Sequence, residues 1–157
     1  MKAIRIEQNG GPEVMRLVDA DTPEPGAREI RVRHAAIGVN FIDTYHRTGL
    51  YKTPLPHGLG LEAAGVVDAI GEGVTRFAPG DRIAYCSGPI GAYAEAHVVN
   101  EAHAVELPDA IAFDVAAASL LKGMTARYLL RKTFPVKRGD VVVIHAAAGG
   151  VGQILVQ

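Results

Sequence analysis

The amino-acid sequence predicts a β-rich domain, a partly closed barrel or a sandwich-like fold, followed by the opening strand and helix of an α/β domain. Three observations predict it. From residue 1 to about 110, short runs of alternating apolar and polar residues are separated by Gly, Pro and Asn, the mark of many short strands joined by turns. From Asp109 the composition shifts to an Ala- and Leu-rich stretch with helical spacing. Near the C-terminus, "VVVIHAAAGGVGQILVQ" joins a continuous apolar run to a glycine turn and a helical pattern. A continuous apolar run suits a strand buried on both faces of a parallel sheet.

Each element follows from its residues. "KAIRIE" alternates, with Ile4 and Ile6 on one side and Arg5 and Glu7 on the other. Gly10-Gly11-Pro12 breaks the run, "VMRLV" resumes it, and Pro23, Pro25 and Gly26 mark a loop. "EIRVRHAAI" places Ile30 and Val32 inward, Arg31 and Arg33 outward. "FIDTYHRTG" forms about two helical turns closed by Gly49. Gly58 and Gly60 flank a close turn, and "AAGVVDAI" is a strand ended by Gly71 and Gly73. "PGDRIAY", "GAYAEAHVV" and "AVELP" complete the β-rich set. In "DAIAFDVAAASLLKGMTARYLLRKTF", Ala116, Leu120 and Leu121 share one helical face and Leu129 and Leu130 another, with Gly123 expected to separate two helices. Pro135, Gly139 and Asp140 mark a turn before the apolar strand. The boundary falls between residues 110 and 125, which assigns residues 1–120 to the first domain and 121–157 to the second.

At 157 residues, the chain is long enough for one complete core, or for one domain plus a piece of another. A net charge of −1 gives no electrostatic basis for binding nucleic acid or an anionic membrane. The start "MKAIRIEQNG" lacks the apolar core of a secretory signal. No apolar run reaches the roughly 20 residues of a bilayer span. Cys86, the single cysteine, cannot form an internal disulfide or a Cys-rich zinc site, and the reading is a reducing, cytoplasmic compartment.

The glycine turn carries the clearest chemistry. A phosphate needs backbone N–H groups at close range, and a helix N-terminus supplies them with a favourable dipole. Gly149 and Gly152 take the second and third places of a dinucleotide fingerprint, whereas Ala147 holds the first, so the strict GxGxxG is not met. The alternative is a glycine-rich turn that binds nothing. Elsewhere side-chain chemistry is sparse. The six histidines show no HxH or HxxxH pair, and Ser87 and Ser119 lack a GxSxG elbow. Asp43, Glu62, Asp68 and Asp81 are scattered, and Cys86 reads as a small buried hydrophobe. His145 ends the apolar strand, with a structural role in the loop as its first reading and a cofactor contact as its second. A bound cofactor performing the hard step fits better than chemistry by side chains alone.

The stretches "GVNFIDTYHRTGLY", "GLGLEAAGVV", "GDRIAY", "GAYAE", "AAASLLKGMTARYLLRKTF" and "GDVVVIHAAAGGVGQILVQ" together resemble the NADPH-dependent quinone oxidoreductases, the zeta-crystallin-like branch of the medium-chain dehydrogenase/reductase superfamily. The resemblance implies a GroES-like catalytic domain followed by the first βα piece of a Rossmann domain, with NADPH in the cleft between them. The zinc-dependent alcohol dehydrogenases share that fold, and the departures from them are informative. Asn40 stands where they carry a zinc cysteine, Leu61 where they carry a ligand histidine, and the third ligand position falls at Lys122. The resemblance therefore implies a zinc-independent reductase.

Carried over residue by residue, the resemblance implies that Asn40, Phe41, Ile42, Asp43, Thr44 and Tyr45 line the cleft beside the nicotinamide. Thr125 and Tyr128 approach the cofactor from the helix side, Gly149, Gly150, Val151 and Gly152 contact the pyrophosphate region, and Tyr51 borders the quinone pocket. Asn40, Tyr45 and Tyr51 are the candidates for the chemical step. Phe41 and Ile42 are also expected to share in core packing, and capping a hydrophobic cluster is the alternative for Tyr45. The competing functions are a non-enzymatic GroES-like interaction module and a reductase of an enone or enoyl thioester. The resemblance also implies a homodimer built through the Rossmann sheet. Because a doubly wound domain needs about six strands, the 157 residues are expected to be roughly half of a larger protein. Strand 141–145 then lacks parallel neighbours, and the tail is expected to be disordered, irregularly packed or covered by another copy.

Overall fold

The computed structural model describes residues 1–157. Strand β1 (Lys2–Ile6) pairs antiparallel with β2 (Arg16–Asp19) on one side and with β4 (His57–Gly58) on the other. The second sheet is antiparallel in the order β7-β3-β5-β6-β8, made of β3 (Glu29–Gly38), β5 (Glu62–Ile70), β6 (Arg82–Tyr85), β7 (Ala96–Asn100) and β8 (Ala104–Glu106). Residues 93–95 stitch the two sheets together. The Ile4 N–H donates to the Tyr93 carbonyl at 2.7 Å, the Glu95 N–H to the Lys2 carbonyl at 3.0 Å, and the His34 N–H to the Glu95 carbonyl at 2.9 Å. The strands thus wrap into the partly closed barrel that the turn spacing predicts.

Alternation decides which face each residue buries. Ile30 and Val32 are fully buried, as expected, among Val67, Ile83 and Tyr85. Their neighbours Ala64 and Ala84 belong to a second cluster, packed under helix α2 (Phe113–Tyr128) through Ala116 and Ala117. Both faces of β5 and β6 are therefore buried, and the facing residues are alanines because a helix must lie close. Gly38 makes that approach possible: a Cβ there would fall on the Ala117 carbonyl oxygen and within 2.7 Å of Glu62 Cγ.

Two expectations are corrected. Gly123 does not separate two helices. α2 runs through it without a break and continues into a wider π turn, Leu129–Thr133. A mid-helix glycine costs about 1 kcal/mol relative to alanine, which docking of Ala116 and Ala117 on the sheet outweighs. Residues 141–145 do not form a strand either. They pair with no neighbour, and Val141 and Val143 are 96% and 79% exposed. A strand's backbone groups need partners that this chain does not place beside them. The turn before them forms as read: the Asp140 N–H donates to the Lys137 carbonyl at 3.1 Å, and Gly139 takes φ +96. After them the chain enters helix α3 (Gly150–Leu155), which packs on α2.

Candidate active site

Helix α1 (Phe41–Thr48) begins at Asn40, whose extended backbone (φ −129) turns the chain out of the sheet. The Asn40 N–H donates to Asp43 Oδ2 at 2.9 Å, an N-terminal cap with a carboxylate in the favourable first turn. Gly49, left-handed at φ +79, closes the helix. Asp43 is buried and also accepts the Tyr93 hydroxyl at 2.7 Å. Burial, and then the Asp43 carboxylate, hold the Tyr93 hydroxyl protonated. Asp43 thus faces the protein body and anchors the start of α1.

The side chain of Asn40 turns the other way, into a network that crosses three elements. Its Nδ2 donates to Glu62 Oε2 at 2.7 Å, and its Oδ1 accepts from Lys122 Nζ at 2.8 Å. Glu62 is fully buried at the start of β5, and its second oxygen accepts the Leu121 N–H at 2.7 Å. Lys122 Nζ lies 3.8 Å from Glu62 Oε2. A buried carboxylate is tolerated only when hydrogen-bonded and paired, and Glu62 has both. The stem of Lys122 lies under the glycine turn, since a Cβ at Gly150 would come within 2.8 Å of Lys122 Cδ.

Beside this network runs a row of aromatic rings. Phe41 and Tyr45 meet edge to face with centroids 5.4 Å apart, and Tyr45 and Tyr51 are 5.3 Å apart. The Tyr51 N–H donates to the Tyr45 carbonyl at 3.2 Å, which ties the loop to α1. Tyr45 is half-buried and Tyr51 exposed. The expectation that Phe41 packs into the core is corrected: it is 75% exposed, because the first turn of α1 aims it away from the sheet. Ile42 is half-buried, and the Thr44 hydroxyl donates back to the Phe41 carbonyl at 2.6 Å. On α2, past Lys122, the Thr125 hydroxyl donates to the Leu121 carbonyl at 2.8 Å, and Tyr128 is exposed and pairs with no other ring.

The glycine turn meets the requirements of a phosphate site. The Gly149 N–H donates to the Ala146 carbonyl and the first helical bond runs from the Gln153 N–H to the Gly149 carbonyl, both at 2.8 Å. The N–H groups of Gly150, Val151 and Gly152 therefore have no backbone partner. Gly152 is buried, and a Cβ there would approach Ala147 Cα to 2.7 Å, the close packing of helix on turn that the third fingerprint glycine serves. The donors present fit a dinucleotide, whose phosphates the N–H groups of Gly150, Val151 and Gly152 would hold. His145 is exposed just before this turn.

Other candidates resolve as structural. Cys86 Sγ lies 3.2 Å from Met124 Sδ, and burial pushes its thiol up to about 11, which leaves it a poor nucleophile. His34 bonds the Ala94 carbonyl through Nδ1 at 2.7 Å and the Tyr85 hydroxyl through Nε2 at 2.9 Å, and burial pushes it down to about 4. No three His, Cys, Asp or Glu side chains converge as a metal cluster. No helix is long and apolar enough to cross a membrane. Reading the residues alone missed the roles of Glu62 and Tyr93. The signal for Glu62 was present: a lone acid opening the apolar run "EAAGVV" needs partners wherever that run is buried.

A β barrel whose central strands are covered by one helix, with a polar knot at the mouth of α1, defines a class. The model of the alcohol dehydrogenase GroES-like domain matches residues 26–109, more than half of the chain, and the chain belongs to that family. It is 57% identical over 152 residues to a quinone oxidoreductase of Pseudomonas aeruginosa, covering 96% of this chain and 47% of the relative. The crystal structure of Escherichia coli quinone oxidoreductase complexed with NADPH superposes with a TM-score of 0.97 at 49% identity, over 99% of this chain and 48% of that one. A 2-haloacrylate reductase of Burkholderia sp. is 44% identical over 158 residues, 96% of this chain and 47% of the relative. The chain spans about half the length of the curated relatives it matches.

Proposed function

We propose that this chain is the N-terminal half of a two-domain, NADPH-dependent reductase that passes a hydride to a quinone without zinc. Residues 1–120 form its catalytic domain, and residues 121–157 open its dinucleotide domain. The observation behind the reading is the convergence of Asn40, Lys122 and Gly150, which links the start of α1 to a turn with three N–H groups that have no backbone partner. NADPH, when bound, supplies the hydride from C4 of its nicotinamide. The chain supplies position and dryness. Gly150, Val151 and Gly152 hold the phosphates, and the row Phe41, Tyr45 and Tyr51 forms an apolar wall on which a flat acceptor ring can stack.

When an acceptor carbon takes the hydride, a π electron pair moves to the conjugated carbonyl oxygen. To Tyr45 and Asn40 we assign the part of neutral donors toward that charge, and water supplies the proton that completes the product. The three positions at which related dehydrogenases carry zinc ligands hold an amide (Asn40), a hydrocarbon (Leu61) and an ammonium (Lys122), a donor set unsuited to Zn²⁺. We place the intact enzyme in the cytoplasm as a homodimer.

The test is NADPH oxidation by the full-length protein with 1,4-benzoquinone. Robust turnover is expected, reduced in Tyr45→Phe and Asn40→Ala; unchanged hydride transfer in both variants would remove their donor role. A second reading, reduction of an activated alkene, is favoured by the kinship with the 2-haloacrylate reductase. Parallel assays with an enone and with 2-chloroacrylate decide between the two. A non-enzymatic module would leave nicotinamide fluorescence unchanged on titration with NADPH.

A further inference from the structure

We propose that Lys122 provides the positive charge that receives the acceptor's developing oxyanion, with Asn40 and Glu62 holding its ammonium at the mouth of the site. This deepens the hydride-transfer reading and rests on it.

The usual explanation for a lysine beside a buried acid is charge neutralisation, and the bonding argues against that as its whole purpose. Both Glu62 oxygens are already satisfied at 2.7 Å, one by the Leu121 N–H and the other by Asn40 Nδ2. Lys122 Nζ stands 3.8 Å from the carboxylate, outside hydrogen-bond range. Its one hydrogen bond to a side chain goes to Asn40 Oδ1 at 2.8 Å. An ammonium has three protons to donate, so donor capacity is left over. The side chain is 23% exposed, so Lys122 is not sealed inside the protein body as Glu62 is.

The placement is specific. The stem is fixed beneath Gly150, where any larger residue would press on Lys122 Cδ and Cε, and the head is fixed on Asn40. Lys122 therefore bridges the turn that offers phosphate donors and the residue that opens α1. Glu62 performs a second service. By accepting from Nδ2 it sets the Asn40 amide with Oδ1 toward the ammonium, and it is the one acidic group within ion-pair distance of Lys122. In the reaction, the hydride forms a C–H bond on the acceptor, a π bond breaks, and the electron pair comes to rest on oxygen beside the ammonium. NADPH becomes NADP⁺, and a proton from water completes the reduced product, so Lys122 keeps its own proton.

The test uses the full-length protein and three variants: Lys122→Met, Lys122→Arg and the double variant Glu62→Gln with Lys122→Met. The double variant removes both charges together and so protects the fold. The first readout needs no turnover: 4-nitrophenol is titrated and its phenolate absorbance followed against pH. A cation at the oxygen lowers the bound phenol's pKa by about one unit, and this shift is expected in the wild type, retained in part by Lys122→Arg, and lost in the double variant. The second readout is kcat with benzoquinone, expected to fall about 100-fold in the double variant while KM for NADPH stays within about 3-fold. A double variant with wild-type kcat and wild-type phenol shift makes Lys122 structural and overturns the proposal, as does a wild type with no phenol shift. A Lys122-dependent shift in a protein inert toward quinones keeps the oxyanion site and discards the quinone reading.

Discussion

The barrel strands and the segment 141–145 are both rich in β-branched residues, yet only the former are strands. "EIRVRHAAI" finds partners on both sides, β5 over Ile30–Gly38 and β7 over Glu29–Arg33. "VVVIH" has the higher strand propensity and finds none, so its valines stand in solvent. A strand is therefore a property of its neighbours. Propensity records a fit to a pleated, half-buried surface, and it has no effect where no such surface is offered. Antiparallel pairing closes within a short stretch of chain, whereas a parallel strand waits for a crossover of a dozen or more residues.

The barrel's dependence on its packed core is open to direct measurement. Ile83 is fully buried between β5 and β8 and belongs to the main core cluster. Ile83→Ala should cost about 3–4 kcal/mol through lost burial and the cavity left behind, read as a fall in the denaturant midpoint. Native-state hydrogen exchange should protect the amides of β3 and β5 strongly and those of residues 141–145 hardly at all. Protection of that segment equal to the barrel's would break the contrast.

Next in size is a pH effect confined to the barrel. Burial pushes His34 down to about 4 and lowers His97 as well, against about 6.5 in an unfolded chain. Above that value neither state holds the proton, and folding loses nothing. Between pH 6.5 and 4 the unfolded chain binds protons that the folded chain refuses, so stability falls as pH drops, by on the order of 3 kcal/mol for His34. Glu101, whose carboxylate is held below its usual range by the N–H groups of Arg76 and Thr75, weakens the fold only at lower pH still. Urea melts at pH 7.5, 5.5 and 4.5 should show the slope, and His34→Gln should flatten it.

Gly38→Ala comes third, at about 2 kcal/mol, the ordinary cost of overpacking. The added methyl collides with the backbone of α2 at Ala117 and with Glu62, and neither is the free end of a flexible side chain. Because α2 also carries Lys122, the substitution should disturb the Asn40 network along with stability, visible as a change in the Asn40 side-chain amide resonances.

How far the molecule was legible follows the same division. Strands β1, β3, β5 and β6, helix α1 with its Gly49 stop, and the glycine turn were readable, because each is set by alternation or by a local cap. The break expected at Gly123 failed because a glycine's local preference is weaker than the packing of a whole helix face. Asn40 was singled out on resemblance, but its partners lie 22 and 82 residues away, and no periodicity reports such a pairing. Asp43 was read as facing the cofactor. The structure turns it inward to Tyr93, 50 residues on, a direction set by tertiary contacts that the spacing of "NFIDTY" does not contain.

The smallest effect is the most discriminating. Val141 and Val143 touch little, so replacing both with threonine, which keeps the β-branch and adds a hydroxyl, should change this chain's stability by no more than about 0.5 kcal/mol. In the two-domain reductase proposed above, whose dinucleotide domain would supply parallel neighbours, the same pair of substitutions would place two hydroxyls in a dry sheet interior, at about 1–3 kcal/mol each where no partner is found. Urea melts of the two forms of the protein, each with and without the double substitution, therefore measure how much of this strand is made by its neighbours. A cost in this chain as large as that expected of the longer form would mean that residues 141–145 are already buried here and that the contrast with the barrel is one of degree.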